Sequence, residues 1–431
     1  MPENHYISPD QLQIGLHVHI DLKWFEHPFA FSHFKIKSEE QIRIIRSLGL
    51  KTVRFSPELS EGSPPPQVAP PPTPEPSTAA VLAATAEAEL SPVMLAKRAM
   101  MAQMQLRRKD AERIEKAFIN TANTIRDFEK NLYSRPVETV QQVTKLIGQI
   151  AESMLSAPEL VIHVMGDKMG GEELYFHTLN VTMLSMMMAR DLKLPVEVVG
   201  VLGIGALLHD IGRKEVPDKI LRKTDALTQV ERNFYEMHCQ YGVDIGQRLR
   251  LAPAALAIIR EHHELFDGSG YPTKLQGETI SLLSRIVSVA NYYDELCNPN
   301  AMADALTPHE ALSLMFAKLR GKFDPKVLQV FIRCLGVYPP GTIVQLSNGA
   351  IGMVATVNTA RPMKPTLVVY DADVPKEEAI LLDMERETDV NIAKAIRPAQ
   401  VPREVYNYLS PRKRVSYYFD AASARPDAGK P

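Results

Sequence analysis

Histidine and carboxylate side chains recur through the middle of this 431-residue chain at spacings that suit a metal cluster. In GEELYFHTLNV, Glu173 and His177 are four residues apart and project from one helix face. Alone, such a pair is a surface contact. In VLGIGALLHDIGR, a nearly featureless apolar helix ends by delivering His209 and Asp210 together, with Arg213 one turn later. Burying an unpaired polar group costs roughly 2–7 kcal/mol and a lone carboxylate more, and a divalent cation supplies the missing compensation. The bland alternative is a His/Asp pair capping a core helix.

Further along, Thr228-Gln-Val-Glu231 forms a capping box that opens a helix towards His238. The AALAIIR helix then runs into His262 and His263. Adjacent side chains on a helix diverge by about 100°, so both imidazoles serve one cluster only if it holds several ions or the helix ends there. The sequence Asp267-Gly268-Ser269-Gly270-Tyr271-Pro272 supplies such an end, and its amides and tyrosine hydroxyl suit a phosphate oxygen.

The elements that must position these residues are mainly helical. From Ile114 to Leu132 apolar residues recur every three or four positions, and helix follows helix from Pro136 to about Leu335. The methionines at 183 and 186–188 read as core filler. Residues 1–60 predict a small α+β module, with strands at 17–20, 34–36 and 51–55 and a helix opened by Ser38. His17 and His19 share a strand face there, without an acidic or thiol partner at metal-binding spacing. Residues 61–92 form a proline- and alanine-rich linker, carrying eight of the 32 prolines between Ser63 and Pro76. The amphipathic helix falls at 93–135, the helical unit at 136–335, a β-rich extension at 336–412 around the Asn348-Gly349 turn, and a tail at 413–431. Pairing of the amphipathic helix with a second copy is one route to a homodimer.

With 45% hydrophobic and 23% charged residues and a net charge of −2, the composition is globular and gives no reason to expect DNA or an anionic membrane as partner. The start lacks a signal peptide's charged and apolar regions, and Cys239, Cys297 and Cys334 sit at spacings of neither a disulfide framework nor a zinc knuckle, so a cytoplasmic protein with buried thiols is expected.

In this order, Glu-x-x-x-His, His-Asp-Ile-Gly, a lone His and His-His-Glu-x-x-Asp-Gly-Ser-Gly-Tyr-Pro, the chain resembles the HD-GYP domains, metal-dependent phosphodiesterases of cyclic di-GMP. The resemblance spans roughly 137–335, and residues 1–60 resemble more loosely the small domain that precedes it in one subgroup. Five of the twelve histidines fall on family ligand positions, too many for chance core histidines. The resemblance implies an all-helical phosphohydrolase fold whose metal ligands are Glu173, His177, His209, Asp210, His238, His262, His263 and Asn291. It implies two or three divalent ions, iron or manganese, and hydrolysis to linear pGpG or GMP by a metal-bridging hydroxide. Asp210 and Arg213 take the catalytic roles, with Arg213 and residues 267–272 against the substrate; diguanylate cyclase (GGDEF) domains are the implied protein partners.

Two positions depart from the family pattern. Arg213 stands where lysine is usual and still binds phosphate, bidentately. In VANYYDEL, Asn291 replaces the usual aspartate ligand, a neutral oxygen for an anionic one, with Asp294 on nearly the same face as a substitute. The alternative function that follows is a weak or inactive relative acting as a receptor for the dinucleotide.

Overall fold

The computed structural model describes residues 5–61, 121–156, 161–164, 173–299, 305–409 and 415–418, apart from short gaps within these ranges. The linker and most of the amphipathic helix lie outside them. The chain divides into two compact units, one built on 1–107 with 371–379 and the other on 108–370 with 380–431.

In the first unit, strands β1 (His5–Ile7), β2 (His17–His19), β3 (His33–Lys35) and β4 (Val53–Ser56) form an antiparallel sheet in the order β1-β4-β2-β3, joined by helix α1 (Glu39–Ser47). Ser38 caps α1 by accepting from the Gln41 amide at 3.3 Å. The sheet and helix enclose their own apolar core around Leu16, Val18, Ile20, Ile36, Ile42 and Ile45. Strand β1 is unforeseen because three residues are too few to show alternation.

The second unit is organised around one helix. In α4 (Val196–Leu208), preceded by α2 (Pro136–Ser156) and α3 (Glu173–Asp191), Val199, Leu202, Ala206, Leu207 and Leu208 are all buried. A helix apolar on every side has only the centre of a bundle to occupy, and α2, α3 and the Pro253–Glu261 helix pack around it. The methionines at 183 and 186–188 fill this core, and all three cysteines are buried and free. Residues 121–128 and 130–131 are helical, and Ile125, Phe128 and Leu132 are buried in the same core. That part of the amphipathic stripe is covered by this chain and is not free to meet a second copy.

Strand β5 (Val161–Val164) interrupts the expected run of helices and pairs antiparallel with β11 (Val415–Tyr418), inside the expected tail. Two four-residue strands whose partner lies 250 positions away carry no local signal. Between them lies a five-stranded antiparallel sheet formed by Ile343–Leu346, Ile351–Thr356, Thr366–Val369, Ile380–Asp383 and Ile392–Ile396, followed by the Arg403–Leu409 helix. The Asn348-Gly349 hairpin is present with Gly349 at φ 87°, as a tight turn requires. Among the described residues no helix is long and apolar enough to cross a membrane.

After α4 the chain tightens into a 3₁₀ segment, Ile211–Glu215, that packs on helix α5 (His238–Arg248). Gly212 permits this: a Cβ there would stand 1.9 Å from the His238 carbonyl oxygen and 2.4 Å from the Gly242 nitrogen. Both contacts are backbone, so neither can swing away. Gly212→Ala is therefore expected to cost about 1–3 kcal/mol in chemical unfolding and to reduce bound metal by displacing His238.

Candidate metal centre

Four imidazoles of the cluster are each delivered by a helix end or face and locked through the inner nitrogen. Nδ1 of His209 donates to the Ala206 carbonyl at 2.6 Å, that of His238 to Tyr235 at 2.7 Å, and that of His262 to Ile259 at 2.9 Å. His177, on α3, donates Nδ1 to Asp294 Oδ2 at 2.8 Å. A carbonyl or carboxylate only accepts, so in the neutral ring Nδ1 carries the proton and Nε2 presents a lone pair. Those lone pairs converge: His209 and His177 Nε2 are 3.3 Å apart, and so are His238 and His262 Nε2.

Asp210 lies between the two pairs. Its Oδ1 is 3.5 Å from His238 Nε2 and 3.6 Å from His262 Nε2. Its Oδ2 is 3.4 Å from His209 Nε2 and 3.7 Å from His177 Nε2. Both oxygens are buried without a hydrogen bond, although Arg213 Nη1 forms an ion pair with Oδ2 at 2.9 Å. Acceptor facing acceptor in a dry pocket is repulsive unless a cation stands between. Nitrogen and oxygen ligands at about 2.1 Å from one ion, at octahedral to tetrahedral angles, lie about 3.0–3.4 Å from each other, close to the separations here. Two groups that fit an ion result: His177, His209 and Asp210, and Asp210, His238, His262 and His263. The shared carboxylate gives one oxygen to each.

The remaining site residues divide. The Pro253–Glu261 helix does end at His262, so His263 also reaches the cluster, and its Nε2 is buried without a partner. Asn291 is 2% exposed on the Leu282–Cys297 helix, and its Oδ1 is unpartnered. The Glu173 side chain lies outside the described residues. Asp294 is not a spare ligand: Oδ2 accepts from His177, and Oδ1 accepts from Asn180 at 2.7 Å and Asn298 at 2.8 Å. The expectation of compensation by Asp294 is thus corrected, because both its oxygens are already saturated.

The loop amides are also corrected. The Ser269 amide donates to Asp267 Oδ1, Gly268 to the Leu265 carbonyl and Tyr271 to the His263 carbonyl, so these three face inward. What the loop contributes is a wall. The Tyr271 ring stacks on His263 with centroids 4.5 Å apart, and Gly270 allows it, since a Cβ there would lie 2.4 Å from the His263 oxygen. Buried Glu264 pins the far side by accepting from Thr273 and Leu275 amides at 2.7 and 3.0 Å.

Arg213 Nη2 is bonded to the Tyr235 hydroxyl, while its Nε is buried and unpartnered. Tyr235 was not legible as a site residue; its position three before His238 is a signal only once the helix is known to start there. Electrostatics suit ligands rather than acids. Burial favours protonation of Asp210, but Arg213 and His209 outweigh it and hold the carboxyl well below its ordinary range. Burial, then the neighbouring imidazoles, lowers His263 far below normal, and burial brings His262 to about 3. For His177 burial also acts downward, but the bond to Asp294 reverses it and the net shift is upward.

Residues 133–327 match the HD domain family, residues 5–143 a domain of unknown function (DUF3391), and residues 343–404 a KOW domain associated with HD domains. The chain is 29% identical to the Pseudomonas aeruginosa protein named cyclic di-GMP phosphodiesterase PA4108, over 97% of this chain and 99% of that one. The chain carries an HD domain preceded by a DUF3391 domain. A shorter match, 3'3'-cGAMP-specific phosphodiesterase 2 of Vibrio cholerae, is 35% identical over 29% of this chain and 24% of its own. Among solved structures, Bd1817, a HDG"Y"P protein from Bdellovibrio bacteriovorus, aligns with a TM-score of 0.40 and 15% identity over 76% of this chain and 98% of that one.

The lowered histidines make a pH prediction. Unfolded histidine takes up a proton near pH 6.5, whereas folded His262 resists protonation down to about 3. The unfolded state then binds more protons, so stability falls as pH falls through this window, by roughly 1.4 kcal/mol per pH unit for one fully linked histidine. Metal-free protein should lose stability from pH 7 to pH 5 in urea titrations, and His262→Asn should flatten that slope.

Proposed function

We propose that this HD-domain protein is a cyclic di-GMP phosphodiesterase that opens the ring to linear pGpG, with GMP as the further product. The observation that carries the reading is the pair of histidine groups sharing Asp210 beside Arg213, in a chain similar end to end to a named cyclic di-GMP phosphodiesterase. The donors that would hold the metal are His177, His209, Asp210, His238, His262, His263 and Asn291, with Glu173 the added ligand for a third ion. Imidazoles and carboxylates suit iron, manganese, zinc or nickel, and the resemblance to the HD-GYP domains favours iron or manganese among them. When bound, such ions supply Lewis acidity towards a phosphoryl oxygen and activate water at neutral pH.

The chain's own groups do the rest. The Nδ1 bonds of His177, His209, His238 and His262 fix each ring before substrate arrives, so little reorganisation is left to the reaction. Arg213, braced by Asp210 and Tyr235, keeps its Nε–H for a non-bridging phosphate oxygen. Tyr271 and Pro272 form the wall against which the dinucleotide lies. Because the net charge is only −2, the anionic substrate is attracted locally by the ions and Arg213 rather than by the whole surface.

A second reading, a receptor that binds the dinucleotide without cleaving it, is favoured by one observation, the neutral Asn291. Protein loaded anaerobically with iron or manganese distinguishes the two. Cyclic di-GMP should be consumed faster than 3'3'-cGAMP, with pGpG or GMP seen by chromatography; full metal occupancy without turnover would leave the receptor. Arg213→Ala should lower kcat/KM by about 10²–10³-fold.

A further inference from the structure

The Leu282–Cys297 helix, whose Asp294 bonds the cluster residue His177, carries three polar side chains within about one helical turn: Asn291, Asp294 and Glu295. Asp294 is occupied by His177, Asn180 and Asn298. Asn291 is buried with its two amide ends in different circumstances: Nδ2 donates to Glu295 Oε1 at 3.2 Å, and Oδ1 meets no hydrogen-bonding group. Turning the amide over would set oxygen against the Glu295 carboxylate and leave the nitrogen orphaned, so Glu295 decides which end faces the ions. Glu295 itself is half-buried; burial pushes its carboxyl up, against the pull of His177 and Arg213, and those two partners put it close to the His177, His209 and Asp210 group.

We infer that Glu295 is a positioning residue: it holds the Asn291 amide by its N–H so that Oδ1 is presented as a neutral ligand to the ion at His177, His209 and Asp210. The same bond polarises the amide, making Oδ1 a better donor. The inference rests on the metal-centre reading and also accounts for Asn291 itself. A carboxylate at position 291 would have no N–H to give Glu295 and would set acceptor against acceptor at about 3.2 Å.

Metal content and affinity, measured by manganese titration of the metal-free full-length protein, provide the test. Glu295→Ala should weaken the affinity for one of the two ions by about 10–100-fold, as loss of an outer hydrogen bond does. Glu295→Gln, whose amide oxygen still accepts from Asn291, should recover most of that loss. Asn291→Asp alone should gain little, and Asn291→Asp combined with Glu295→Ala should bind at least as tightly as the native chain. Unchanged affinity in Glu295→Ala, or a Glu295→Gln as weak as Glu295→Ala, would overturn the positioning role. So would an Asn291→Asp that gains as much with Glu295 as without it. A native protein that binds no manganese would instead overturn the metal-centre reading.

Discussion

A buried carboxylate with four imidazole lone pairs around it and no proton to share with any of them is the constraint on which the structure turns. Asp210 is 8% exposed, its oxygens accept no hydrogen bond, and the nearest positive charge, Arg213, contacts only one of them. Each unpartnered polar group of this kind costs roughly 2–7 kcal/mol, so the fold concentrates several such penalties at one point. Cations would convert those penalties into ligand bonds, and the carboxylate's two oxygens would let one residue serve two of them.

The scaffold follows from this demand. A carboxylate can be kept dry only at the centre of the bundle, which is where an all-apolar helix must go, and Asp210 is attached to the end of that helix. His209, His238 and His262 arrive at helix starts and ends because there the ring can donate Nδ1 to a carbonyl three residues back. Glycine at 212 and 270 then lets neighbouring backbone approach closely enough to bring His238 and Tyr271 into place.

The histidines and Asp210 that the structure brings together were legible because they are local chemistry: HDIG and HHELFDGSGYP each carry several of them or their neighbours within a dozen positions. The N-terminal sheet and the Asn348-Gly349 hairpin were legible for the same reason, from short-range alternation and turn residues. What was not legible depends on contacts distant in sequence. Asp294 looks like a free carboxylate until Asn180 and His177, more than a hundred residues away, are placed against it. The loop amides look available until the Leu265 and His263 carbonyls close on them. Strand β5 has meaning only beside β11. Glu295, an ordinary helix residue in the sequence, becomes part of the site through a single bond to Asn291.

Diffraction from crystals of anaerobically loaded protein, recorded on both sides of the manganese or iron absorption edge, counts the ions and locates them against Asp210. Two ions, one against each oxygen of Asp210 and between the paired histidine Nε2 atoms, is the expected result. A single ion, or ions that leave either Asp210 oxygen unliganded, would show that the shared carboxylate is not what organises this site.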